Sequence, residues 1–205
     1  MSTQIHQMTG SSSDTTSLQS AEKRDRGGKY LTFFLGEEEY GLEILKVQEI
    51  IGMMPITFVP KAPRFVKGVI NLRGKIIPVV DLRLKLGMAS KEQTDETCMI
   101  VVQTANGHIA VIVDKVSEVL DILNEEIEDP PALGKSVSSD YILGIGKSEG
   151  KVKLLLDIDK ALSTNDIEYQ SITETAEEEM AQTWNASSMT SAQDEQTNAD
   201  MDAAA

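Results

Sequence analysis

The amino-acid sequence predicts an all-β protein: two small β-barrels, or barrel-like sheets, packed together with short helical pieces. Three observations carry that expectation. Short segments rich in β-branched and aromatic residues recur between residues 29 and 156, punctuated by glycine-bearing turns. They fall into two successive sets, separated by a polar connector at residues 88–96 that has no apolar periodicity. No strand–helix–strand rhythm is present, which argues against a nucleotide-binding α/β sheet.

The first strand, residues 29–35, is set by its aromatic and β-branched content. Gly36 and the three glutamates Glu37, Glu38 and Glu39 form a solvated loop into residues 40–44, which alternate apolar and polar and pair back on the first strand. In residues 44–51 the apolar positions Ile44, Val47, Ile50 and Ile51 have the three- and four-residue spacing of a helical face. That piece is too short to stand alone and Gly52 ends it, so it has to lean on the sheet. Pro55 and Pro60 then bracket an extended piece, and Pro60-Lys61-Ala62-Pro63 is a loop into the central hairpin.

That hairpin, residues 65–82, organises the chain. Two apolar, β-branched runs flank Leu72-Arg73-Gly74; Gly74 accepts the positive φ of a tight reversal, and Arg73 sits at the tip. Pro78 cannot donate to a ladder, so the second arm lies at a sheet edge, at a bulge, or with that amide facing outward. Residues 82–87 offer one helical turn or a strand end.

After the connector, residues 98–103 and 108–113 form a hairpin about Asn106-Gly107, and residues 116–122 add a third strand of an antiparallel meander. Residues 123–140, with Pro130-Pro131, read as a long surface loop. Residues 141–146 and 152–156 close the sheet as a hairpin about Glu149-Gly150, and residues 157–162 form a short helix capped by Asp157 or Asp159. Cys98 lies in an apolar strand and reads as a buried, inert thiol; a single cysteine excludes a disulfide framework.

Composition divides the 205 residues into three parts: a leader at 1–28, a folded region at 29–165 whose second barrel begins near 97, and a tail at 166–205. The leader is polar with three charges of each sign, and the tail carries ten Asp and Glu with no Lys or Arg. Neither end buries enough apolar surface to offset the entropy of ordering, so both are expected to be disordered, and removing the tail is expected to leave thermal stability unchanged. Subtracting the tail's −10 from the formal −14 leaves −4 for the rest, which argues against duplex nucleic acid. The leader lacks the continuous apolar core of a secretory signal and no stretch reaches about 18 apolar residues, so a soluble, cytoplasmic protein is expected.

Catalytic chemistry finds little footing in this sequence. Gly146-Lys147-Ser148 and Gly134-Lys135-Ser136 imitate the end of a phosphate-binding loop, but the position five residues earlier holds Tyr141 or Asp129 in place of glycine. His6 lies in the leader and His108 opens a strand, so neither pairs with Cys98 at a readable distance. Glu125, Glu126, Glu128 and Asp129 cluster on a loop without the rigid frame of a metal site. No cofactor and no metal is expected. The charge layout stands out instead: residues 35–50 hold five Glu against Lys46, whereas residues 61–85 hold seven Lys and Arg against Asp81. These are either two solvated faces or opposite patches that steer protein partners. Glu49 and Arg73 are natural partners across that divide, and an exposed pair contributes at most about 1 kcal/mol.

Gly68-Val69-Ile70-Asn71-Leu72-Arg73-Gly74 followed by Ile77-Pro78-Val79-Val80-Asp81-Leu82 resembles the signature of the CheW family, the coupling proteins of bacterial chemotaxis. Residues 38–50, 111–120, 141–146 and 156–160 resemble the family in the same order, so the likeness spans residues 30–162. It implies two intertwined five-stranded SH3-like barrels, no catalytic activity, and a location in the cytoplasm at membrane-bound receptor arrays. The implied partners are the cytoplasmic coiled-coil tip of chemoreceptors, the regulatory domain of the histidine kinase CheA and other CheW-like proteins in rings, with neither nucleic acid nor membrane insertion. On matched positions it implies that Val47, Glu49, Gly68, Arg73, Val116, Val119 and Gly144 contact partners or shape the interface.

Under that reading a side chain at Gly68 or Gly144 would hold the partner off, and a groove lined by Val47, Ile50 and Val116 or Val119 would accept an apolar helical face. The plain alternatives are core packing for the valines and backbone conformation for the glycines. The acidic tail with Trp184 has no counterpart in the family pattern. Competing functions are a coupling protein of a non-motility pathway, a ligand-binding barrel, which needs convergent polar groups in a pocket, and a single-strand nucleic-acid barrel, which needs exposed aromatics over a basic groove.

Overall fold

The hairpins marked by the sequence are where the chain reverses, but the strands they join are shared between two sheets in an order that local signals do not show. The computed structural model describes residues 25–105, 107–130, 140–148, 150–163 and 171–173. In chain order the elements are β1 (Gly28–Leu35), β2 (Glu38–Glu43), β3 (Val47–Gly52), β4 (Val66–Leu72), β5 (Lys75–Asp81), α1 (Leu82–Lys85), β6 (Cys98–Thr104) and β7 (Gly107–Val113). They continue with β8 (Lys115–Ile122), β9 (Ile127–Glu128), β10 (Ile142–Ser148), β11 (Lys151–Leu156) and α2 (Ile158–Leu162). One sheet runs β8-β1-β2-β11-β10-β9 and the other β3-β6-β7-β5-β4. The all-β expectation holds, with a two-residue sixth strand, β9, added to one sheet.

The division near residue 97 needs correction. β6 and β7 join β3, β4 and β5, whereas β8, β10 and β11 join β1 and β2, so each sheet takes strands from both halves of the chain. β8 leaves the expected meander and pairs with β1. The halves are tied by two parallel pairs, Tyr40–Leu42 of β2 beside Leu154–Leu156 of β11 and Val79–Asp81 of β5 beside Ala110–Ile112 of β7. Parallel neighbours are joined through long crossovers, so no turn motif announces them.

Residue alternation along the central strands explains where the core sits. On β6, Met99 and Val101 pack in one apolar cluster, while Ile100 and Val102 pack in a larger one; Ala110 and Ile112 against Ile109, Val111 and Val113 repeat the division on β7. The smaller cluster fills the inside of the five-stranded sheet, and Tyr30, Ile122, Ile127 and Leu155 fill the inside of the other. The large cluster unites residues of both sheets, including Leu31, Phe33, Val80 and Leu156, and is the shared core. Strands covered on both faces read as unbroken apolar runs, as residues 98–102 and 109–113 do.

The central hairpin forms as expected, with one addition. Arg73 and Gly74 have φ of 54° and 85°, the double left-handed turn that matches strand twist, and the Gly74 amide donates to Asn71 Oδ1 at 2.8 Å. Val69 exchanges both backbone hydrogen bonds with Thr57, so its partner Pro78 lies where β4 requires no amide proton from β5. Of the options left open for Pro78, the amide facing away from its hairpin partner is the one realised.

Five further expectations change. Residues 47–52 are a strand paired with β6, and only Ile44–Lys46 makes a 3-10 turn. Glu39 is no part of a solvated loop: it lies buried on β2, with Oε2 at 3.1 Å from Nζ of the buried Lys153. The leader is ordered from Asp25 among the described residues, and the Arg26 guanidinium donates to Leu143 O at 2.7 Å while pairing with Asp129 at 2.9 Å. Ile172, placed in the tail, is buried and belongs to the shared core. The surface loop expected at residues 123–140 also gives way at its start, where Asn124–Glu126 make a 3-10 turn and Ile127 is buried on β9. As expected, residues 82–85 are one helical turn, the connector has no regular structure, and Asp157 caps α2 by accepting from the Lys160 amide at 3.1 Å. His6, Gly134-Lys135-Ser136, Trp184 and the remainder of the leader and tail lie outside the described residues.

Candidate functional site

Arg73 reaches from the tip of the β4–β5 hairpin to Glu49 on β3, the strand at the other edge of the same sheet. Its two terminal nitrogens donate to the two carboxylate oxygens at 2.8 and 3.2 Å, so the sheet curls far enough for its ends to be joined by a bidentate pair. The Arg73 side chain is 78% exposed and that of Glu49 27%. Such a pair adds at most about 1 kcal/mol to stability, and its larger effect is to fix where charge is presented. Behind it lies a cleft of about 200 Å³ with Leu72, Ile77 and Val101 on its walls and Gln48, Lys75 and His108 beside the pair.

The misread helical spacing has a cause. A bulge between Val47 and Glu49 makes both Gln48 and Glu49 oppose Val101, resetting the alternation of β3. Val47 and Ile50 therefore oppose Val102 and Ile100, whose side chains belong to the shared core, whereas Glu49 and Ile51 oppose Val101 and Met99 of the inner cluster. A three-residue repeat on a bulged strand imitates a helical face. On β8, Val116 opposes Phe33 and Val119 opposes Leu31, both of the shared core. All four apolar candidates thus point to the side where the two sheets meet. Val47 and Val116 are half-buried against the core; Ile50 is 46% and Val119 50% exposed.

The two glycines behave differently from the expectation that they clear room for a partner. A Cβ on Gly68, whose φ is +139°, would lie 2.0 Å from Thr57 O, because the extended piece at Thr57 docks there on β4. A Cβ on Gly144 would lie 2.5 Å from Ile127 Cγ2 and 3.1 Å from the Arg26 guanidinium. Both clearances are filled by the chain itself, so substitutions at these glycines disturb the fold before any partner.

Sequence reasoning passed over several other features. Leu45 is 90% and Phe58 70% exposed, and only the placement of Leu45 within a 3-10 turn and of Phe58 between prolines distinguishes them. Asp114, where the chain crosses from one sheet to the other, accepts on a single Oδ2 from Arg83 at 2.7 Å, Gly36 N at 2.9 Å and Lys91 at 3.2 Å. Asp159 accepts from Lys46 at 2.6 Å and Ala105 N at 3.0 Å; burial pushes its carboxyl up, but these bonds hold it net below the usual range, and the Asp159 bond raises Lys46.

Burial pushes the half-buried Cys98 thiol up and leaves it weakly nucleophilic. Cys98 and His108 stand at opposite ends of the β6–β7 ladder, five residues or about 17 Å apart. Gly146-Lys147-Ser148 ends an antiparallel strand that turns at Gly150 into β11, with no helix to receive a phosphate. Among the described residues no group of three His, Cys, Asp or Glu is placed to hold a metal, and no helix is long and apolar enough to cross a membrane. What the arrangement offers is contact: apolar side chains facing the junction of two sheets, next to a fixed ion pair.

Fold and site define a paired-barrel interaction module. The chain belongs to the CheW-like domain family, whose model matches residues 29–166. It is 38% identical over 141 residues to the chemotaxis protein CheW of Klebsiella aerogenes, covering 69% of this chain and 85% of that one. It is 33% identical over 142 residues to the chemotaxis protein CheW of Rhizobium meliloti, covering 69% and 92%. Among solved structures it is similar to the scaffolding protein TtCheW from Thermoanaerobacter tengcongensis, with a TM-score of 0.64 and 34% identity over 69% of this chain and 97% of that one.

Proposed function

We propose that this chain is a non-enzymatic scaffold of a chemotaxis array, coupling chemoreceptors to the histidine kinase CheA. The observation that carries the reading is the convergence of Val47 and Ile50 on one sheet with Val116 and Val119 on the other toward the junction of the two barrels. Half-exposed apolar residues on such a junction suit a helical partner that lays one face into a groove, as the coiled-coil tip of a receptor does. The Glu49–Arg73 pair and the exposed Leu45, four residues before Glu49 in the chain, suit a second contact, with the regulatory domain of the kinase. Gly68 and Gly144 act by shaping the surface, holding the piece at Thr57 and β9 in place. Other CheW-like proteins are further partners, in rings. The protein then works in the cytoplasm, recruited to membrane-bound receptors, with no cofactor, nucleic acid or membrane insertion of its own. The names of its relatives, chemotaxis and scaffolding proteins, support this assignment.

Co-sedimentation with receptor signalling fragments and the kinase tests the proposal. The wild type is expected to join both, and Arg73→Ala to lose kinase more than receptor while its circular dichroism stays unchanged. A folded wild type that joins neither overturns the assignment.

A further inference from the structure

We propose that the acidic segment following Ile172 docks on the chain's own basic loop and the start of β4, at Lys61, Arg64 and Lys67. Ile172 is only 8% exposed and belongs to the apolar cluster that includes Ala62 and Phe65 of that loop and Ala161 and Leu162 of α2. The neighbourhood is further joined by Lys85, which lies 4.5 Å over the Phe65 ring and donates to Ser163 O at 3.5 Å. The tail is therefore tethered to the shared core, against which Ala62 and Phe65 of the loop also pack. Beyond the tether, residues 174–205 contain eight Asp and Glu and no Lys or Arg, and Glu174, Glu177, Glu178 and Glu179 come first.

The loop has the complementary charge. Lys61, Arg64 and Lys67 are exposed, and among the described residues none has a carboxylate within ion-pairing distance, whereas Arg73 and Arg83 are satisfied by Glu49 and Asp114. Reach is sufficient: seven residues from Ile172 to Glu179 span at most about 25 Å, against a radius of gyration of about 14 Å for a body of this size. A tether of this length holds the acidic run at an effective concentration of about 1 mM. Contacts of about 0.1 mM intrinsic affinity would then be formed in about nine molecules of ten. A partner approaching this face with negative charge has to displace the tail first, so occupancy there depends on salt.

The test uses the full chain and a fluorescent peptide of residues 174–182 as the probe. Wild type is compared with a chain in which Glu174, Glu177, Glu178 and Glu179 are all changed to Gln, leaving Ile172 intact. The neutralised chain is expected to bind the probe about tenfold more tightly than wild type, because it no longer competes in cis. Adding Lys61→Glu, Arg64→Glu and Lys67→Glu to it is expected to abolish binding, and 0.5 M NaCl to erase the difference. Equal probe binding by the wild-type and neutralised chains overturns the proposal, as does undiminished binding after reversal of the loop. In labelled full-length chain, amide cross-peaks of residues 61–67 are expected to move on neutralisation of the tail; unmoved peaks equally contradict the docking.

Discussion

Removing one partner of the Lys153–Glu39 pair is the sharpest perturbation this fold offers. The side chains are 3% and 8% exposed with the charges 3.1 Å apart, on strands brought side by side by a parallel pairing. Lys153→Met leaves a carboxylate buried without its counter-charge, at a cost of about 3 to 5 kcal/mol. For a domain of this size each kcal/mol lowers Tm by roughly 3 °C, so a drop of about 10 to 15 °C is expected. Glu39→Leu should cost a similar amount by stranding the ammonium group. The double variant Glu39→Leu/Lys153→Met replaces the pair with apolar groups of comparable bulk and is expected within about 1 kcal/mol of wild type. Urea denaturation of all four proteins gives the coupling energy directly. Single variants within 0.5 kcal/mol of wild type, or a double variant as unstable as the sum of the singles, would refute the reasoning.

Three other expectations follow from particular contacts. Asp114→Ala frees Arg83, Lys91 and the Gly36 amide together, and with Arg83 only 15% exposed the loss measured in urea is expected at about 2 to 4 kcal/mol. Burial, and then the charge of Glu43, push the Tyr30 phenol up to about 12 from 10.0. The unfolded chain ionises first, so this contribution is whole below pH 10 and is lost as pH rises toward 12, by roughly 2 to 3 kcal/mol, a slope that Tyr30→Phe should lack. Truncation after residue 165 removes the buried Ile172 and should lower Tm by a few degrees, the net of apolar burial over the ordering of a short segment.

Local signals carried much of the fold. The Arg73-Gly74 turn, the chain reversals between β6 and β7 and between β10 and β11, the helical turn after Asp81 and the capping by Asp157 were all legible, because each depends on residues within a few positions of one another. The exchange of strands between sheets was not, since β8 could as well have paired with β7 as with β1 by apolar pattern alone. Glu39 was hidden in a run of three glutamates, and only the later arrival of Lys153 beside it distinguishes it. Arg26 and Ile172 were masked by polar neighbours whose composition describes a tail. At the candidate site the Glu49–Arg73 pair was readable from charge, although the strand under Glu49 was mistaken for helix through the bulge at Gln48. For Gly68 and Gly144 backbone conformation stood as the alternative to a partner contact, but which atoms occupy their clearances was not readable, because Thr57, Ile127 and Arg26 are brought there by the fold.

The claim that both barrels contribute to one helix-receiving groove can be put to a single titration. A receptor coiled-coil tip fragment is added to isotope-labelled protein, and the methyl resonances of Val47, Ile50, Val116 and Val119 are followed. Saturable shifts of the β3 and β8 residues with one common affinity are the expected result, weakened in parallel by Val119→Asp. Shifts confined to one strand, or a bound complex that leaves all four methyl groups unmoved, would contradict the account.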